Sequence, residues 1–260
     1  MDNFNAKQMK MKYFIGLMMV LLSLTSTAQD FSSKLLKAQD LYARSQYDSA
    51  ALIYQSIIDG GYQSPELYYN LGNSYFKLDE IPSAILYFEK AARLNPNDEN
   101  IQHNLQLCNS MIPDRIDQLP QLFFIRWYVS LYNYFPIDTW ASIIIVLMGI
   151  FSVFFLIFLL SERILLKKLG FWSAVLFLLL TMFSLFLTYQ KYSSFKQHND
   201  AIIFTPSITV KSSPTQNSVD LFVLHEGTKV TILDTVSGWK KVKIQNGSVG
   251  WIEGDKLEII

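Results

Sequence analysis

Cysteine is almost absent: the 260 residues hold one, Cys108. A single thiol excludes an internal disulfide framework, and beside only three histidines it leaves no donor set for a Cys/His zinc site. Charge is also scarce, at 17% of residues against roughly 25% in soluble globular domains. The deficit is local, because Asp138 to Glu162 encloses 23 uncharged residues and Lys168 to Lys191 encloses 22. The 22 basic and 22 acidic residues cancel, so there is no overall basic excess to displace counterions from phosphates, and a general nucleic-acid binder is excluded. Catalytic signatures are missing as well: there is no G-x-x-x-x-G-K loop, H-E-x-x-H pair, G-x-S-x-G elbow or paired metal-ligand cluster. His103, His198 and His225 are scattered. Cys108, on a predicted helix without a nearby histidine, reads as a small buried apolar residue rather than a nucleophile. No enzyme, metal or cofactor is expected.

The N-terminus carries Lys7, Lys10 and Lys12, an apolar stretch from Tyr13 to Leu24, and small residues at Ser26-Thr27-Ala28. This is the three-part pattern of a secretory signal, with cleavage expected after Ala28. The apolar run is about a dozen residues, short of the ~20 that an uncleaved anchor needs.

Residues 29–118 read as helical. Tyr68, Leu71, Gly72, Tyr75, Ala84, Phe88, Ala91 and Pro96 fall at positions 4, 7, 8, 11, 20, 24, 27 and 32 of a unit beginning near Ser64. These positions resemble the tetratricopeptide pattern, whose period is 34 residues. The resemblance implies a helical hairpin in which Gly72 and Ala84 are small where helices touch and Tyr75 and Phe88 fill the gap. Ser64 is placed to cap the first helix, Pro65 fits its first turn and Pro96 helps stop the second. One period back, Ala38, Leu41, Ala50, Tyr54 and Ile57 form a weaker copy, and Gly60-Gly61 marks the turn between the copies. One period on, Leu105 fits while Gln102, Gln106 and Asn109 do not, so about two and a half repeats with a polar cap are expected. So short a solenoid leans on the membrane or a partner.

Stacked repeats present a groove, whose exposed positions map to Gln39, Tyr42, Tyr69, Asn73, Phe76 and His103. Two readings are open. In one, Asn73 hydrogen-bonds a peptide backbone and the aromatics pack its side chains; in the other, the aromatics pack between helices and Asn73 is merely solvated. The basic residues that clamp a C-terminal carboxylate in some family members are missing. Residues 29–118 hold 12 acidic and 7 basic residues, a balance that favours a basic partner face.

Trp140 to Leu160 and Phe171 to Tyr189 each approach the ~20 apolar residues of a spanning helix, and neither contains an ionisable residue of the kind that marks ion transport. The predicted spans are 139–160 and 171–190, joined by a basic turn over 161–170. Arg163, Lys167 and Lys168 place that turn in the cytoplasm, while Arg126, Lys191 and Lys196 near the opposite ends tie the count. The export signal breaks the tie and puts both soluble parts on the exoplasmic side. Within residues 119–138, Phe123, Phe124, Trp127, Tyr128, Tyr132, Tyr134 and Phe135 suit either a short helix in the headgroup layer or a protein contact.

After a linker over 191–200, the pattern changes to period two: Ile208 and Val210, Val230 and Ile232, Val242 and Ile244 each share a face. Turns are expected at Glu226-Gly227, Ser237-Gly238 and Asn246-Gly247, and five or six short strands imply a small barrel. The strings Val210-Lys211-Ser212-Ser213-Pro214, Glu226-Gly227-Thr228-Lys229-Val230, Gly238-Trp239-Lys240-Lys241-Val242 and Gly250-Trp251-Ile252 resemble bacterial SH3-like domains over residues 201–260. Such domains bind peptides or cell-wall material, or act as spacers. Trp239 and Trp251 are read as packing residues, and Phe222 and His225 as the exposed ligand candidates.

The expected fold class is thus a multidomain membrane protein: signal peptide, all-α repeat solenoid, two-helix transmembrane hairpin and all-β SH3-like small barrel. That order resembles the BatE family of the bacterial Bat (aerotolerance) system. The resemblance implies partners in the same membrane carrying von Willebrand factor A domains, a MoxR-type ATPase in the cytoplasm and a role in stress or oxygen tolerance. A membrane adaptor is the first functional expectation, and an envelope sensor or peptidoglycan binder the second.

Overall fold

The computed structural model describes residues 31–116, 122–196 and 199–260, and the expected signal over 1–28 lies outside them. The first unit has five helices: α1 over 31–43, α2 (Tyr47–Asp59), α3 (Pro65–Lys77), α4 (Ile81–Leu94) and α5 (Glu99–Met111). Their ends follow from local chemistry. Ser64 Oγ accepts the Leu67 amide at 3.1 Å with Pro65 in the first turn of α3, and Asp98 accepts the Asn100 and Ile101 amides at the start of α5. Each such cap stabilises by ~1 kcal/mol. Inside, Ala38, Ala50, Leu71, Ala84, Phe88 and Ala91 are fully buried. Gly72 is needed at the α3–α4 contact, because a Cβ there would lie 2.8 Å from the Phe88 ring. The stack is two hairpins followed by α5 alone, as the spacing predicts.

Helix α6 (Phe123–Asn133) lies within the aromatic segment and buries none of its residues; Phe123, Phe124 and Trp127 are exposed. Two helices long and apolar enough to cross a membrane follow, α7 (Ile137–Leu160) and α8 (Ile164–Lys196). The 24 residues of α7 rise about 36 Å, enough for a ~30 Å hydrocarbon core. Gly170, Ala174, Thr181, Ser184 and Leu187 are buried on α8. A Cβ at Gly170 would stand 2.8 Å from the Phe158 amide nitrogen, so this glycine lets the two backbones approach.

The connection between these helices is Ser161 to Arg163, not the expected ten-residue turn. Ile164 to Leu169 contain no helix breaker, so α8 starts early and Lys167 and Lys168 ride on its first turns. Its other end also overruns expectation: α8 reaches Lys196 and the next strand begins at Asp200, so most of the predicted linker is helix.

Seven strands complete the chain: β1 (Asp200–Ile203), β2 (Ser207–Lys211), β3 (Asp220–His225), β4 (Lys229–Val236), β5 (Trp239–Lys243), β6 (Val249–Glu253) and β7 (Leu257–Ile259). They form one sheet in the order β3-β2-β6-β5-β4-β1-β7, with every pairing antiparallel. Ile203, Val210, Leu224, Val230, Val242 and Ile252 share one core although they come from both halves of the sheet, so the sheet curls around them. Gly227, Gly238 and Gly247 stand at the three expected turns with φ of +82°, +83° and +88°, a region open to glycine at little cost.

The count exceeds five or six because β1 does not alternate and β7 is only three residues long. In β1, Ala201 and Ile203 face the barrel core while Ile202 packs with the helical core, joined by Phe204 and Ile260. A strand buried on both sides reads as a continuous apolar run. It also makes the helical stack and the barrel one packed body.

Candidate functional site

The residues expected to line a groove lie on α1, α3 and α5. On α3, Tyr69 tilts against Phe88 with ring centroids 5.7 Å apart, and Phe76 packs against the helical core. On α1, Tyr42 meets Tyr47 edge-on at 5.2 Å, and burial, then Tyr47 and Tyr69, push its phenol pKa up. These aromatics therefore pack between helices. Asn73 is engaged rather than merely solvated: its Oδ1 accepts from Asn104 Nδ2 at 2.8 Å, and the same amide donates to the Tyr69 hydroxyl at 3.3 Å. Gln39 is exposed on α1. His103 is turned toward a cleft beside the barrel, and Asn104, which the repeat spacing did not single out, closes the polar cluster. Cys108 is fully buried, and burial pushes its thiol up to about 11, outside the range of a reactive thiolate.

The junction between stack and barrel holds the second cluster. Lys229 Nζ on β4 lies 2.8 Å from Glu89 Oε2 on α4 and 3.4 Å from Asp200 Oδ2 on β1. Burial alone would lower the pKa of this ammonium; the two carboxylates outweigh it and hold it above the usual lysine value. Asp114, just beyond α5, accepts the His225 amide at 2.8 Å and the Thr228 hydroxyl at 2.7 Å, and its Oδ1 meets His225 Nδ1 at 2.7 Å. Burial raises the carboxyl pKa, but the hydrogen bonds from Thr228 and His225 prevail and hold it below the ordinary carboxylate value. The two contacts flank Gly227, whose amide donates to the Ile203 carbonyl.

His225 thus ties the SH3-like domain to Asp114 at the joint, with its side chain still 38% exposed. Phe222, opposite Val210 in the β2–β3 ladder, packs against the barrel core. Trp251 lies under Lys241, whose Nζ is 6.0 Å from the ring centroid. Trp239 is half-buried and walls a cavity of about 280 Å³ with Ser207, Thr209, Lys211, Gln216 and Glu253. Glu89, Asp114 and Lys229 carried no signal in the sequence, since Asp114 and His225 lie 111 positions apart. Among the described residues no group of His, Cys, Asp and Glu could hold a metal ion.

Residues 65–98 match the tetratricopeptide repeat. Residues 206–258 match the bacterial SH3 domain. No match to the chain is found among the curated proteins. The helical stack is thus a tetratricopeptide unit and the sheet an SH3-like domain, two modules typical of protein–protein interaction or peptidoglycan binding. What the arrangement offers chemically is recognition surface.

Proposed function

We propose that the protein is a membrane-anchored, non-enzymatic adaptor of the Bat type, with both soluble modules on the exoplasmic side of the bacterial inner membrane. The observation that carries this reading is the joint itself. Lys229 with Glu89 and Asp200, and Asp114 with His225 and Thr228, fix two interaction modules in one orientation at the end of two apolar helices. A rigid pair of modules holds two partners at a set distance, which suits assembly better than catalysis. The order of modules resembles the Bat family and supports partners in the same membrane that carry von Willebrand factor A domains, in a stress or aerotolerance role. The exposed aromatics of α6 fit the headgroup layer beside the spans.

The test is crosslinking of the tagged protein in native membranes, with mass spectrometry of what copurifies. Links from residues 31–111 to a membrane protein with a von Willebrand factor A domain are expected. Links only to wall-processing proteins would transfer the assignment to a wall binder. That second reading draws on the Trp239 cavity, where an aromatic face and polar side chains suit a wall fragment. It requires the full-length protein to cosediment with purified peptidoglycan and Trp239→Ala to abolish this.

A further inference from the structure

In the complete hairpin, Tyr68, Gly72 and Tyr75 of α3 face α4: Tyr68 and Tyr75 lie against Tyr87, and Gly72 against Phe88. One period on, the same positions of α5 are Gln102, Gln106 and Asn109. Among the described residues no second helix packs there; α5 is followed by 112–116, and all three side chains instead line a cleft of about 860 Å³. Its floor includes Leu105, Ile112 and Ile116, and its far wall is Thr228, Lys229 and Gln245 of the SH3-like domain. The cleft thus stands where the missing half-repeat would lie.

We infer that this cleft, separate from the concave groove, binds an extended juxtamembrane segment of a partner protein; the inference rests on the adaptor reading. Three observations select that occupant. Carboxamides donate and accept at once, which matches the alternating amide and carbonyl groups of an extended backbone. The stripe from Glu99 to Asn109 runs about 15 Å, the length of four to five extended residues at roughly 3.3 Å each. Finally, the start of α5 lies beside the membrane segment: Asn97 donates to the Asn133 carbonyl at 2.9 Å, and Gln102 shares a smaller cavity with Asn133 and Lys191. Glu99 is exposed at that end and Arg115 at the other, so the segment carries a basic residue toward Glu99 and an acidic one toward Arg115. No Phe, Tyr or Trp lines the cleft, which disfavours a glycan.

The experiment places benzophenone-maleimide on Gln106→Cys in the cleft and, separately, on Gln39→Cys in the groove, in full-length protein in native membranes. Cys108 is fully buried and stays unlabelled. Adducts from Gln106→Cys to a juxtamembrane peptide of a membrane protein, with at least a tenfold loss of that protein on Gln102→Ala/Gln106→Ala, are expected. Adducts from Gln39→Cys alone overturn the cleft and leave the adaptor standing. Adducts from neither position overturn both, and adducts from Gln106→Cys to wall fragments replace the peptide by peptidoglycan. Both alanines are exposed on a helix and favour it, but Gln102→Ala also removes the bond from its Nε2 to the Pro96 carbonyl, so Gln106→Ala alone is the variant expected to insert and unfold like the parent while still weakening capture.

Discussion

Lys229 Nζ sits 2.8 Å from Glu89 Oε2, joining the first residue of β4 to the middle of α4 across 140 positions of sequence. Neither side chain is freely solvated, at 27% and 15% exposure, so the pair lies between a surface bridge and a buried one. Removing one partner leaves the other half-buried and uncompensated. Lys229→Met is therefore expected to cost about 1–3 kcal/mol, above a surface pair and below the ~3–5 of a fully buried one. Thermal unfolding in detergent, in a cycle with Glu89→Leu, measures it; a coupling below about 0.5 kcal/mol would show that the joint does not depend on this pair.

Asp114 makes the joint sensitive to acid. Its folded pKa is depressed, so its contribution is present above the unfolded value near 3.9 and is lost as pH falls through the folded value. Stability should thus decline below about pH 4 more steeply in the parent than in Asp114→Asn, which keeps an acceptor but cannot titrate. Parallel acid-unfolding curves would remove Asp114 from the account.

Gly227 tests the same joint through the backbone. Its φ of +82° disfavours any side chain by about 1–2 kcal/mol, and a Cβ would come within 2.5 Å of Ile112 Cγ2. Both effects act in one direction, so Gly227→Ala should destabilise by about 2–4 kcal/mol and speed proteolysis between the modules. Gly238→Ala is the control, since its φ is similar at +83° and a Cβ there meets nothing within 4 Å.

Much of the architecture was legible because each module repeats a local rule. Gly72, Ala84 and Phe88 record helix contacts at tetratricopeptide spacing, and the turn glycines record hairpins. The partner-facing chemistry was less so. Asn104 holds Asn73 and Tyr69, yet its repeat position carries no pattern, and Asp114 finds His225 only after the barrel has docked. Periodicity reports which face of an element is apolar; it cannot report which distant element that face meets. For the same reason the spacing that marks His103 as a groove position does not show that it also lines the cleft beside the SH3-like domain.

Membrane orientation, proposed above with both modules exoplasmic, can be read with thiol chemistry. The only connection between α7 and α8 is Ser161 to Arg163, while Gln216 is exposed on the SH3-like domain. With an exported N-terminus, Ser161→Cys in intact spheroplasts should resist a membrane-impermeant maleimide and react after lysis, whereas Gln216→Cys should react in both. Buried Cys108 adds no background to either variant. The reverse pattern would put both modules in the cytoplasm, beyond reach of the wall, and would overturn the exoplasmic placement.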